Sequence, residues 1–240
     1  ADFGSQPIKY PPPLDLSTTT LYDVFISNAS SHQDKPLFGL RPCIDAKLHK
    51  YADKFEWLTW KECQSRVDDI GSGLVSLGVM SGPGSRVGIF SINCSDWMLC
   101  EYACFRQNFA VTPIYATCGS GSINTIVRHA EISVAFTHIT LVQGLLQDIV
   151  SSSSPVEEES CPLRIIVTIA HDVFKNAENK PALSEETKRL AERLHVRIIE
   201  LEELMNAGRQ AKHPANPPKP NDIYSIIYTS GSEGVPKGAM

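Results

Sequence analysis

Short apolar runs alternate with amphipathic stretches through most of this chain. The runs are Val87-Gly88-Ile89-Phe90, Ala110-Val111-Thr112-Pro113-Ile114, Ser133-Val134-Ala135-Phe136, Ile165-Ile166-Val167-Thr168-Ile169 and Val196-Arg197-Ile198-Ile199. A sixth, Ile223-Tyr224-Ser225-Ile226-Ile227-Tyr228, comes near the end. Such runs, rich in β-branched residues, read as strands. Between them, helical spacing predicts helices over 96–107, 122–131, 141–150, 184–194 and 201–207. Strands and helices alternating in this way predict crossover units, hence an α/β fold with a mainly parallel sheet flanked by helices. Ligands of such sheets bind beyond the carboxyl ends of the strands.

Upstream, Ser17-Thr18-Thr19-Thr20 offers N-cap residues for a helix that starts at Leu21. Leu37-Phe38-Gly39-Leu40-Arg41 and Phe55-Glu56-Trp57-Leu58-Thr59-Trp60 read as two short strands of a hairpin, with a polar loop over 45–53 between them. Val67, Ile70, Leu74 and Leu77 recur at helical spacing and predict an amphipathic helix over 61–77. Its Gly71 and Gly73 either admit a close neighbour or weaken the helix. Residues 1–19, with Pro7 and Pro11 to Pro13, are expected to form an extended arm. Residues 20–240 are then read as part of one large domain. The Ser/acidic stretch 151–159 reads as a solvated surface loop, and the Pro-, Lys- and Asn-rich stretch 210–220 as a second surface insertion.

Composition narrows the function. The 240 residues, 42% hydrophobic, can bury a substantial core. A net charge of −5 and a pI near 5.8 argue against a nucleic-acid partner, which needs a basic face. No apolar run approaches the roughly 18–20 residues of a membrane span, and no secretory signal opens the chain. The first residue is Ala1, not Met, and a fragment at both ends is expected. The seven cysteines contain no C-x-x-C pair, which disfavours structural zinc and fits a reducing, intracellular compartment. Cys100 and Cys104 read as small buried side chains. No histidine is assigned a catalytic role; His129 is placed near a helix end, as a cap or facing solvent. Trp57, Trp60 and Trp97 read as core or lid-packing residues.

The strongest chemical signal is Thr229-Ser230-Gly231-Ser232-Glu233-Gly234-Val235-Pro236-Lys237-Gly238, entered directly from the last strand. Glycines let backbone approach a ligand closely. Exposed amides and hydroxyls donate hydrogen bonds to oxyanions, and a lysine adds a mobile positive charge. A loop built this way suits a polyphosphate. It lacks the Gly-Lys-Ser/Thr of a Walker A loop and the glycine triplet of a dinucleotide fingerprint.

The loop resembles that of the AMP-forming adenylate synthetases, which include acyl-CoA synthetases, luciferases and peptide-synthetase adenylation domains. The match covers Thr229, Ser230, Gly231, Ser232, Gly234, Pro236, Lys237 and Gly238. It departs at Glu233, where the family usually has threonine. A carboxylate there would oppose a phosphate by roughly 4 kcal/mol at about 4 Å for an effective dielectric of about 20, unless it faces solvent or Mg²⁺ bridges it. Further stretches resemble the long-chain acyl-CoA synthetase branch: Trp57-Leu58-Thr59-Trp60-Lys61-Glu62, Asn93-Cys94-Ser95-Asp96-Trp97, Pro113-Ile114-Tyr115-Ala116-Thr117-Cys118-Gly119 and His129-Ala130-Glu131-Ile132-Ser133. Ala116 stands where that branch has aspartate, so any helix cap the aspartate supplies is expected to be missing. Tyr115 either faces a ligand or is satisfied in the core.

The resemblance implies the N-terminal part of an adenylation domain that lacks the C-terminal domain. It implies a fatty acid–CoA ligase using ATP, Mg²⁺ and CoA, with Lys237 as the catalytic residue. Thr229, Ser230, Gly231, Ser232, Gly234 and Lys237 would bind the ATP phosphates, and no residue is assigned to metal. Pro236 would fix the turn and Gly238 let the chain leave it. The adenine pocket, ribose-binding aspartate, acyl tunnel and second catalytic lysine lie downstream in relatives, so this segment alone is expected to be inactive. Expected partners are fatty acid, ATP and CoA. Peripheral membrane contact would go with a fatty acyl substrate, although no basic amphipathic helix supports it; the expected place is the cytoplasm or the surface of the endoplasmic reticulum or peroxisome. Two alternatives stay open: a coumarate-ligase, luciferase or peptide-synthetase type of adenylate former, and a non-catalytic nucleotide-binding or interaction derivative.

Overall fold

The computed structural model describes residues 20–229 and 236–240; the expected arm over 1–19 lies outside them. Helix α1 (Leu21–Ser31) is closed at its start by a reciprocal capping box between Thr20 and Asp23. Strands β1 (Pro36–Leu40) and β4 (Glu56–Thr59) form the expected antiparallel hairpin. The stretch between them is not a plain loop, because β2 (Cys43–Asp45) and β3 (Lys50–Tyr51) pair across it. Asp45 sets the tip by accepting the backbone N–H of Lys47 and Leu48 at 2.9 and 3.1 Å. Helix α2 (Trp60–Ser76) starts from a second capping box, Thr59 with Glu62.

The rest is the predicted alternation: β5 (Arg86–Ser91), α3 (Ser95–Arg106), β6 (Ala110–Tyr115), α4 (Ser122–His129), β7 (Val134–His138), α5 (Val142–Ser151), α6 (Pro155–Glu159), β8 (Ile165–Ile169), α7 (His171–Phe174), α8 (Glu185–Arg193), β9 (Arg197–Glu200) and α9 (Leu201–Ala211). The five strands form one parallel sheet in the order β6-β5-β7-β8-β9. The chain therefore winds outward in both directions from β5, and the reversal lies between β5 and β7. Side chains alternate across the sheet. Val87, Ile89, Phe136 and Val167 join a core with α1, α2, α3 and α9, while Phe90, Ile114, Ala135 and Ile166 join another with α4, α5 and α8.

The α2 glycines admit close packing. A Cβ at Gly73 would lie 2.3 Å from the Leu204 carbonyl oxygen, and one at Gly208 would lie 1.9 Å from that of Asp69. Backbones of α2 and α9 therefore touch where they cross. Ser72 Oγ donates to the Gly208 carbonyl at 3.0 Å and accepts from the His213 N–H at 2.8 Å, tying the crossing to the segment that leaves α9.

Two further expectations change, and that of a surface insertion over 210–220 is refined. The acidic stretch 151–159 contains α6, capped by Ser154, and Glu158 is buried, its two carboxylate oxygens accepting from Arg193 Nε and Nη2 at 2.6 Å each; a bidentate pair removes it from the solvated class. The Pro-rich stretch 210–220 is tethered to the end of α3: Arg106 and Gln107 donate to the His213 and Pro214 carbonyls, and Asn216 N–H donates to the Arg106 carbonyl. Trp57 is 58% exposed and lies over Gly39, whereas Trp60 and Trp97 pack on the core as expected. A large side chain on the outer face of a two-stranded hairpin has no second layer to enter. No helix among the described residues is long and apolar enough to cross a membrane.

Candidate functional site

The candidate loop hangs from a two-stranded hairpin. Strands β10 (Ile227–Thr229) and β11 (Lys237–Ala239) pair antiparallel, with Tyr228 opposite Gly238 and Thr229 opposite Lys237. Ser230, Gly231, Ser232, Glu233 and Gly234 lie outside the described residues. Of the predicted phosphate ligands, Thr229 and Lys237 are therefore the two whose placement is seen. Both are exposed. Directly opposed residues of an antiparallel pair bring their Cβ atoms to about 5 Å on the same face. A hydroxyl and an ammonium thus flank the mouth of the loop together.

The hairpin is fixed to the main sheet at the β6 edge. Val111 N–H donates to the Tyr224 carbonyl at 3.1 Å, and Ile226 N–H donates to the Val111 carbonyl at 2.9 Å, a parallel bridge. Ser225 Oγ adds a bond to the same carbonyl at 2.9 Å. Tyr224 hydroxyl donates to Glu101 at 3.1 Å, pinning the approach to α3. Because the bridge is parallel, the chain then runs toward the carboxyl end of β6, where half-exposed Tyr115 sits. That is the side on which parallel sheets bind ligands.

On the inner face, Ile226 and Tyr228 are buried against the α4 side of the core. Gly238 makes room for the Tyr228 ring: a Cβ there would lie 3.2 Å from its outermost carbon. The Tyr228 hydroxyl reaches His129, the last residue of α4, with its oxygen 2.5 Å from Nδ1; the imidazole tautomer decides which group donates. Burial pushes the Tyr228 phenol above its usual pKa, opposed by the charge of Arg86. Arg86 itself pairs with Glu131, which takes a left-handed turn (φ 53°) just past α4. The His129-Ala130-Glu131 stretch thus closes α4 and meets the loop-bearing strand. His129 is exposed at a helix end, as expected, but its bond to Tyr228 was not legible in a single sequence.

Asp148 of α5 accepts the N–H of Gly121 at 2.6 Å and of Asn124 at 3.0 Å, capping α4 from outside its own sequence. Asp96, in the Asn93–Trp97 match, is buried and accepts the Ala170 N–H at 2.7 Å. Ala170 is left-handed (φ 71°), so this bond holds the exit from β8. Burial raises the Asp96 pKa, offset in part by that bond. Beyond β8 and β9 opens a cleft of about 860 Å³ lined by Thr168, His171, Lys175 and Lys180. Neither Thr229 nor Lys237 lines it.

The AMP-binding enzyme family model matches residues 28–240. The chain belongs to that family. Long chain acyl-CoA synthetase 1 of Arabidopsis thaliana is 33% identical over 229 residues, covering 95% of this chain and 31% of the relative. Long-chain-fatty-acid–CoA ligase 1 of Cavia porcellus is 33% identical over 222 residues, covering 92% and 28%. The chain thus spans about a third of the length of these AMP-binding relatives. Among solved structures, the A-PCP didomain of the carboxylic acid reductase of Segniliparus rugosus, in complex with AMP, aligns with a TM-score of 0.72 at 20% identity, covering 92% of this chain and 31% of that one. The likeness is one of fold, that of an adenylate-forming domain.

Proposed function

We propose that this chain is the phosphate-holding part of an ATP-dependent long-chain fatty acid–CoA ligase. The observation that carries the reading is the pairing of Thr229 with Lys237 at the mouth of the glycine loop, on the carboxyl-end side of a parallel sheet. In the reaction, a fatty acid carboxylate oxygen bonds to the α-phosphorus of ATP as the bond to the bridging oxygen breaks, giving acyl-adenylate and pyrophosphate. The thiol of CoA then bonds to the acyl carbon; the thiol proton is lost and AMP leaves.

The first step puts charge on the departing pyrophosphate, and fixed donors aimed at that charge lower its barrier. Lys237 would neutralise it. Hydroxyls of Thr229, Ser230 and Ser232, with amides around Gly231 and Gly234, would hold it in line. Magnesium would enter with ATP, since it is commonly held by substrate phosphates and retained waters. No residue of this chain is assigned to CoA.

Two supports favour the long-chain branch over other adenylate formers: the relatives at 33% identity and the match at His129–Ser133. An apolar fatty acyl substrate would favour contact with a membrane surface. The test is to supply the intact natural protein with ATP, CoA and a series of acids. Long-chain fatty acids should give AMP and acyl-CoA, and aromatic or amino acids little. Turnover of aromatic acids alone would transfer the chain to the coumarate-ligase type.

A further inference from the structure

We infer that His129 is a positioning residue for Thr229 and Lys237, acting through Tyr228; this rests on the ligase reading above. Tyr228 immediately precedes Thr229 and stands opposite Gly238, beside Lys237. One ring therefore sets both arms of the hairpin on which the loop is mounted. Two contacts fix that ring. Its Cζ and Cε1 lie 3.2 and 3.4 Å from where a Cβ at Gly238 would stand, and its hydroxyl meets His129, with the rings edge-to-face at 5.7 Å and 88°.

The pair is a cross-link between separate parts of the fold. Helix α4 carries His129 and is itself held at both ends. Asp148 caps its start, while Arg128 near its finish donates to Asn124 within the helix and to Ser153 and the Glu157 carbonyl beyond it. Among the described residues, the backbone bonds between this segment and β6 lie upstream of Tyr228, at 224–226. Past that bridge, the Tyr228–His129 bond continues the tether to the last residue before Thr229. Buried packing holds the Tyr228 ring laterally; the hydroxyl fixes how far the strand advances along it. His129 is exposed, so it contributes little to the core. Its removal should cost alignment of Thr229 and Lys237 rather than folding.

The test uses the intact natural protein and four variants: His129→Ala, His129→Asn, Tyr228→Phe and the double His129→Ala/Tyr228→Phe. Asn places a polar atom where Nδ1 stands; Phe keeps the buried ring and removes only the hydroxyl. Binding of ATP is measured by calorimetry, and KM for ATP and for fatty acid by pyrophosphate release. His129→Ala and Tyr228→Phe should each weaken ATP binding about fivefold, the factor matching the loss of one hydrogen bond, while KM for fatty acid stays put. The double variant should be no worse than either single one, and His129→Asn should return ATP affinity to within about twofold of wild type. Unchanged ATP affinity in the single variants of an active enzyme would overturn the inference and leave the ligase reading standing. Additive losses, or a lowered unfolding midpoint with unchanged ATP affinity, would equally overturn it, leaving a structural bond. A wild type that neither binds ATP nor releases pyrophosphate would remove both.

Discussion

Adding one methyl group at Gly208 should damage this fold more than losing many larger groups would. Where α9 crosses α2, a Cβ at Gly208 meets the Asp69 carbonyl oxygen at 1.9 Å and the Gly73 nitrogen at 2.8 Å. Both obstacles are backbone, so no side chain can swing aside. Ordinary contact begins near 3.4 Å, so the helices must part by about 1.5 Å locally. Such a gap forfeits a large part of the dispersion between facing side chains. Those side chains include Leu204 and Met205 of α9 and Val67, Ile70 and Leu74 of α2, all buried. The Ser72 bond to the Gly208 carbonyl would stretch as well. Overpacking typically costs about 1–3 kcal/mol, and a backbone clash belongs at or above the top of that range, near 3–5 kcal/mol. That is a large share of the roughly 5–15 kcal/mol that holds a domain together. Gly144→Ala is the control: this exposed glycine in α5 has nothing within 4 Å of a Cβ, and alanine should stabilise by about 0.5–1 kcal/mol. Urea unfolding followed by far-ultraviolet circular dichroism reads both. Equal midpoints for Gly208→Ala and wild type would refute the close crossing.

Lys237→Ala should slow fatty-acid-dependent pyrophosphate release on the order of a hundredfold, the usual cost of one charge-stabilising donor, and leave the unfolding midpoint unchanged because the side chain is exposed; unchanged release would end its assigned role. Glu233→Thr should leave ATP affinity unimproved if the loop is adapted to its carboxylate, whereas a gain of about tenfold or more, about 1.4 kcal/mol, would mark a degenerate site. His138 is buried, and burial, followed by the nearby charge of His171, lowers its pKa from 6.5 to about 4. The unfolded chain therefore binds the extra proton first as pH falls from 6.5 to 4, and stability drops across that window by up to about 3 kcal/mol. His138→Asn keeps an acceptor for the Thr140 N–H and should flatten that slope; an unchanged slope would exclude His138 as its source.

The parallel sheet was legible because its inner strands, β5, β7 and β8, are buried on both faces. Continuous apolar runs such as Ile165–Ile169 leave little ambiguity when turn residues and helical spacing follow. The start of α1 was legible for a similarly local reason, since Thr20 caps the residues directly after it. Features hidden in the sequence depend on distant partners. Glu158 reads as one more charge in an acidic run until Arg193, from a separate helix, closes on it. Asp148 gives no sign in its own helix that it caps another. Asp45 bends its segment into a small hairpin through backbone bonds that hydrophobic periodicity does not record. At the site, the glycines, hydroxyls and lysine of 229–238 read as a phosphate loop, but the direct opposition of Thr229 and Lys237 is set by strand register. The His129–Tyr228 bond joins residues far apart in sequence, in two separate stretches of the family match.

Adenylation is tested most directly by exchange of labelled pyrophosphate into ATP, measured on the intact natural protein without CoA. The ligase reading predicts exchange that requires a long-chain fatty acid, needs no CoA and is lost in Lys237→Ala. Exchange absent with every acid supplied, or dependent on CoA, would contradict an acyl-adenylate intermediate and with it the function proposed for this chain.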